Sequence, residues 1–409
     1  MVMEPDKEYG ENEVSPFIRV GTTYYKIARQ PQPDGGYITK RLKWEVQTIR
    51  LDYGKEYLKE IPRYNGFCTV PIHKGYSREV GNFYNLYEPI SHTPAIGTWE
   101  HIDILVSHIF GEQYELGLDY LQLLYLQPTQ KLPILLLVSE ERNTGKTTFL
   151  NFLKSIFEDN ATFNTNEDFR NRFNSDWTAK LLIMVDEVLL NRREDSERLK
   201  NLSTARSYKV EAKGKDRDEI YFFAKFVLCS NNERTPVLID PGETRYWVRK
   251  ILPLQNDDTT FLMHLKNEIP AFLGHLCQRR MSTDRQSRMW FAPRQIETPA
   301  LRRIIRSNRN RLETELAEML REIMIATDCN EVCYCLNDLL RLLTLSNVKA
   351  EKAQVRNIIV DNWKLTPAPN ALTYQCWDID CTRPSGYSAT SRVGRFYRFS
   401  KSMLDNLFL

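Results

Sequence analysis

Three observations predict an α/β fold built on a parallel sheet with a phosphate-binding loop at the carboxyl end of one strand. First, the apolar run Pro133-Ile134-Leu135-Leu136-Leu137-Val138 leads through Ser139-Glu140-Glu141-Arg142-Asn143-Thr144-Gly145-Lys146-Thr147-Thr148 into Phe149-Leu150-Asn151-Phe152-Leu153-Lys154-Ser155-Ile156-Phe157. That order is a buried strand, a short loop and a helix with one apolar face. Second, Leu181-Leu182-Ile183-Met184-Val185 shows no polar alternation, as a parallel strand covered on both faces requires, and ends in Asp186-Glu187. Third, Ala224-Lys225-Phe226-Val227-Leu228-Cys229 reads as a further strand and runs into Ser230-Asn231-Asn232-Glu233.

Each element brings its own chemistry. A loop ending in Gly-Lys-Thr before a helix can cradle a polyphosphate on backbone N–H groups, here those of Asn143, Thr144, Gly145, Lys146, Thr147 and Thr148. Lys146 then reaches the outer phosphates, and the Thr147 hydroxyl can ligate Mg²⁺. The first glycine usual in such loops falls at Glu140, so Gly145 is the loop's lone glycine. Two carboxylates at the end of a buried strand lie where open α/β sheets bind ligands. Asp186 is expected to hold Mg²⁺ through its water shell, and Glu187 to polarise a water for attack on a γ-phosphate. Asn231, at the tip of the third strand, can hydrogen-bond both that water and the phosphate. Downstream, Gly242-Glu243-Thr244-Arg245-Tyr246-Trp247-Val248-Arg249 offers an arginine to stabilise charge on a transferred phosphoryl group in a neighbouring subunit. Arg245 is the first choice and Arg249 the second.

With Gly145-Lys146-Thr147, Asp186-Glu187, Asn231 and Arg245 in that order within about a hundred residues, the chain resembles the superfamily 3 helicases. These are hexameric AAA+ ATPases of small DNA viruses, poxvirus-type primase-helicases, phages and mobile elements. Asn82-Phe83-Tyr84-Asn85-Leu86-Tyr87 and residues 132–150 and 222–251 resemble phage and prophage primase-helicase proteins of gut bacteria. The resemblance implies a basic β-hairpin that contacts single-stranded DNA in a ring's channel. Leu199-Lys200-Asn201-Leu202 followed by Lys209-Val210-Glu211-Ala212-Lys213-Gly214-Lys215-Asp216-Arg217 matches it, with Lys213 or Lys215 at the tip.

Composition sets outer bounds. The 409 residues suffice for several domains, and a net charge of +3 means that any nucleic-acid role rests on local patches. No apolar stretch approaches the ~20 residues that span a bilayer, and residues 1–15 carry no basic-then-apolar leader. A cytoplasmic protein, in a bacterial host's cytosol, is expected. Eight cysteines read as reduced thiols. Cys329, Cys333, Cys335, Cys376 and Cys381 lack the Cys-x-x-Cys spacing of a structural zinc site.

The expected organisation is a disordered tail over residues 1–15, a β-rich then helical region over 16–130, the AAA+ ATPase core over 131–278, a basic linker over 279–311, and a winged-helix domain over 312–409. Pro33-Asp34-Gly35-Gly36 is a hairpin signal. Residues 99–126 read as helical, and residues 259–280 as a helical pair around Pro270. Residues 279–311 hold ten arginines against two acids, a patch suited to phosphate. In the tail, helices are expected from Leu312 and Leu336. A candidate recognition helix covers 350–359, and strands cover 372–377 and 394–399, with Arg383 and Arg392 in the loop between them.

These readings converge on an ATP-hydrolysing, Mg²⁺-dependent replicative DNA helicase of a phage or mobile element. It would act as a homo-hexameric ring on single-stranded DNA, with priming left to a separate primase or other replication proteins. A DNA-binding ATPase loader or switch, and a nucleotide-binding replication scaffold, are the alternatives.

Overall fold

The structure, a computed structural model, describes residues 15–31, 37–171, 177–190, 192–210, 218–240, 242–254, 258–308, 311–346 and 348–408. The chain forms two compact units. One comprises Met1–Val188, Glu197–Asn231 and Arg249–Ile296, the other Leu189–Ser196, Asn232–Val248 and Glu297–Leu409.

The first unit starts with strands β1 (Phe17–Val20), β2 (Thr23–Pro31) and β3 (Tyr37–Trp44), helix α1 (Val46–Tyr53) and β4 (Arg63–Tyr64), in a sheet of order β3-β2-β1-β4. The hairpin signal at 33–36 lies outside the described residues, and its flanking strands pair antiparallel from Pro31↔Tyr37 to Tyr24↔Trp44. Successive side chains of a strand face opposite ways. Phe17 accordingly packs on Ile49 and Ile61, whereas Ile18 and Val20 pack with Tyr84. Tyr84 belongs to a second small sheet of β5 (Gly66–Cys68), β6 (Glu79–Val80) and β7 (Phe83–Asn85).

The stretch expected to be helical forms α2 (Glu100–Phe110) and α3 (Tyr114–Leu126), broken by a 3₁₀ turn at Gly111–Gln113. The core sheet follows: β8 (Ile134–Val138), α4 (Lys146–Phe157), β9 (Ala161–Phe163), α5 (Asn166–Arg170), β10 (Leu182–Val185), α6 (Arg193–Thr204), the antiparallel pair β11 (Ser207–Val210) and β12 (Asp218–Tyr221), β13 (Lys225–Ser230) and β14 (Tyr246–Lys250). Its five parallel strands run in the order β14-β8-β13-β10-β9. Every residue of β8, β10 and β13 is buried, which explains their apolar runs; the one charged residue, Lys225 at the start of β13, donates to Pro128 O.

Residues 259–280 correct one expectation. A single helix, α7 (Phe261–Gln278), runs through Pro270 where two helices were expected. The Pro270 carbonyl accepts from Ala95 N (2.9 Å), and Gly274 lets that segment approach, since a Cβ there would lie 2.0 Å from Ala95 O. Tertiary contact thus overrides a residue that usually ends helices. After a one-turn α8 (Pro293–Ile296), no helix among the described residues of either unit is long and apolar enough to cross a membrane.

The arginine-rich stretch is less free than its composition suggests. Arg279 pairs with Asp119, which is wholly buried, and with Glu115 (2.6 Å). A buried carboxylate must be neutralised locally, so this arginine is structural. In the second unit Arg303 pairs with the buried Glu233 (2.6 Å) and Arg302 with Glu297 (2.9 Å).

The second unit contains α9 (Pro299–Ser307), α10 (Arg311–Thr327), β15 (Glu331–Tyr334), α11 (Leu336–Leu345), α12 (Lys352–Asn357), β16 (Leu372–Ile379), β17 (Tyr387–Gly394), β18 (Tyr397–Ser400) and α13 (Lys401–Phe408). One apolar core, including Leu316, Leu320, Leu339, Val355, Ile359 and Phe399, joins the helices and strands from α10 onwards. The strand expected at 394–399 is instead two strands. β17 forms a hairpin with β16, and β18 pairs with β15. Arg392 is therefore not in a loop. It stands on β17 and donates to Asp338 and Asp378 (2.5 Å to the latter), so its charge is spent inside the domain. Arg383 remains in the turn, its N–H donating to Asp380 O (3.1 Å).

Candidate nucleotide site

The loop after β8 takes its shape from two left-handed residues, Asn143 (φ 53°) and Gly145 (φ 79°). Asparagine and glycine are the residues that tolerate this region best. Glu140 has no positive φ, so the position without the usual glycine places no left-handed demand on its side chain. Ser139 anchors the loop's start, its N–H donating to Ser230 O (3.1 Å) on the adjacent β13. Gly145 then caps α4, whose buried Phe149, Leu150, Phe152, Leu153, Ile156 and Phe157 follow helical spacing.

Lys146 is 6% exposed and donates to the hydroxyls of Ser139 and Thr144, the latter at 3.0 Å. The Thr147 hydroxyl donates to Asp186 Oδ2 at 2.8 Å, joining the start of α4 to the end of β10. Glu187 is exposed and left-handed (φ 59°), a costly conformation for a glutamate unless its surroundings impose it. Here they do. Asn166 Nδ2 donates to Glu187 O (3.2 Å), and Val188 is tied on both sides, its N–H to Cys229 O (2.7 Å) and its carbonyl to Ser230 Oγ (3.0 Å). The Cys229 thiol lies well above its ordinary pKa, chiefly through burial and then through the nearby Asp186 carboxylate.

These parts enclose a cavity of about 510 Å³ lined by Arg142, Asn143, Thr144, Gly145, Lys146, Thr147, Thr148, Asp186, Glu187 and Asn231. The volume suits a small-molecule ligand. Sequence reasoning named every lining residue except Arg142, whose position inside the loop motif was its only signal.

Arg245, in the second unit, is held by Glu243: Nη1 donates to Oε2 (2.8 Å) and the backbone N–H to Oε1 (3.0 Å). Arg249, the second choice, is 7% exposed and donates to Glu112 (2.6 Å) and Gln113 (2.8 Å). A guanidinium buried and engaged in this way cannot be offered to another subunit. Lys213 and Lys215 lie outside the described residues, and the flanking β11 and β12 pair antiparallel from Ser207↔Tyr221 to Val210↔Asp218.

A protein-family model described as a family of unknown function (DUF5906) matches residues 137–246. No curated protein matches the sequence. The apo structure of the NrS-1 C-terminal region is similar over 86% of this chain and 84% of its own, with a TM-score of 0.59 and 18% identity. An A-form apo structure of the same region covers 85% and 82%, with a TM-score of 0.58 and 20% identity. A JCV helicase bound to a small molecule overlaps 54% of this chain and 65% of its own at a TM-score of 0.31 and 12% identity, too little to carry an argument. At these identities the NrS-1 likeness shows a shared fold.

Proposed function

We propose that this protein is an ATP-hydrolysing DNA helicase of the superfamily 3 type, a ring-forming replication motor of a phage or mobile element that translocates on single-stranded DNA. One observation carries the reading. The lysine of a phosphate loop, the Thr147–Asp186 pair, a glutamate imposed in a left-handed turn and a strand-end asparagine all line one cavity at the carboxyl ends of parallel strands.

The residues fit Mg²⁺: Thr147 Oγ1 and Asp186 Oδ2 are hard oxygen donors already 2.8 Å apart. They would hold the ion, which when bound neutralises charge on the phosphates. Lys146 exchanges its two hydroxyl partners for the outer phosphates of ATP. Glu187 accepts a proton from the attacking water as its oxygen bonds to the γ-phosphorus and the bond to the β-phosphate oxygen breaks. Asn231 orients that water. Arg245 leaves Glu243 to stabilise the transferred phosphoryl group in a neighbouring subunit of a homo-hexamer. Lys213 and Lys215 grip the strand, and residues 312–409 act as a winged helix.

The test is strand displacement on forks with 3′ or 5′ tails, run beside ATPase measurements, with Lys146→Ala as control. A motor hydrolyses ATP and separates one fork type. A loader hydrolyses without separating strands, and a scaffold does neither, so either result rejects the motor.

A further inference from the structure

A loop that holds an anion must keep its carbonyl oxygens turned away from it, and this loop has donors behind it that do so. His108, in the last turn of α2, directs Nε2 at Thr144 O, 3.0 Å away. A carbonyl only accepts, so Nε2 carries the proton. Leu254 N donates to Asn143 O (2.9 Å), and Ile251 N to Val138 O (2.9 Å) where the loop leaves β8. His108 and Leu254 also wall the outer side of Gly145, their nearest side-chain atoms 3.8 and 3.4 Å from where a Cβ would stand. Thr144 lies between the two left-handed residues, so its peptide orientation determines whether the loop's amides or its carbonyls face the cavity.

The end of α2 is itself fixed. Arg249 donates from Nη1 to Glu112 and Gln113 (2.6 and 2.8 Å) and from Nε to Ile109 O (3.3 Å), the residue after His108. The arginine that cannot serve as a trans-acting finger thus braces the helix end that carries the histidine.

We propose that His108 is a positioning residue for nucleotide binding. Its Nε2–H holds the Thr144 carbonyl outward and keeps the loop in its phosphate-accepting form, and Arg249 holds the turn of α2 from which it reaches. The proposal rests on reading the cavity as a nucleotide phosphate site.

The experiment is a calorimetric titration with Mg·ADP, paired with hydrogen exchange of residues 139–146 in nucleotide-free protein. For His108→Ala, affinity should fall roughly 3- to 10-fold, the effect of one lost hydrogen bond. ATPase kcat at saturation should stay within about twofold, and loop exchange should accelerate at unchanged Tm. His108→Gln, which keeps an N–H donor, should recover most of the affinity. If the alanine variant does not fold, His108→Phe fills the space without donating and replaces it. Unchanged affinity with unchanged exchange overturns the proposal, as does an equal loss in the glutamine variant with kcat falling in step. Wild-type protein that binds no Mg·ADP rejects the nucleotide reading, and loop exchange alone then decides whether His108 shapes the loop.

Discussion

Acid should destabilise the first unit through His73, and the structure sets the size of the effect. His73 lies among Tyr87, Tyr125 and Phe157, its ring stacked on Tyr125 at 5.3 Å. Nδ1–H donates to Tyr125 O (2.7 Å), so the neutral ring's Nε2 accepts from the Tyr87 hydroxyl (2.6 Å). Burial pushes its pKa down, the Tyr125 carbonyl opposes that in part, and the Lys225 charge adds to it, taking it from 6.5 to about 4. As pH falls below 6.5 the unfolded chain takes a proton that the folded protein refuses until about 4, so stability is lost across that window and is retained above it. At about 1.4 kcal/mol per tenfold change in proton affinity, the full loss is about 3.5 kcal/mol, most of it reached by about pH 4.5. Urea denaturation of wild type and His73→Gln from pH 7 to 4.5 isolates the term. The variant can still donate to Tyr125 O but does not titrate, and other carboxylates cancel in the difference. The gap between the two proteins should move by about 2.5 kcal/mol in the variant's favour as pH falls. A gap that stays flat would refute the assignment of a half-buried His73 held neutral by its surroundings.

Three further outcomes test the proposed function. Glu187→Gln should lower ATP turnover by about 100-fold or more, the usual worth of a general base, while ATP affinity by equilibrium titration stays close to wild type; near-normal turnover removes Glu187 from that role. Arg245→Ala should abolish hydrolysis but keep nucleotide binding. Mixing it with Glu187→Gln should restore some activity, because a mixed interface can form one intact composite site; mixed rings without recovery would sink the trans assignment. Lys213→Ala/Lys215→Ala should weaken single-strand binding for every sequence and lower its salt slope by about 1.4, at about 0.7 per lost phosphate contact. An unwinding rate equal to wild type would exclude this segment as the translocating element.

The α/β class, the parallel core strands and the order of the candidate site's residues are legible from the amino-acid order alone. A short unbroken apolar run such as Leu182–Val185 fits a strand covered on both faces, and a strand's carboxyl end marks where Asp186, Glu187 and Asn231 emerge. Those signals are local, read within a dozen residues. The rest depends on partners far apart in the chain. Arg249 meets Glu112 across 137 positions, Arg279 meets Asp119 across 160, and Arg392 meets Asp338 across 54. Each looked like a surface cation because composition records a charge but not its counter-charge. The helix through Pro270 and the contact of His108 with Thr144, 36 positions apart, have the same origin. A residue's use is settled by what folding brings against it: burial makes an ion pair obligatory for Arg279 and Asp119, and α2 sets a ring N–H donor behind the Thr144 carbonyl.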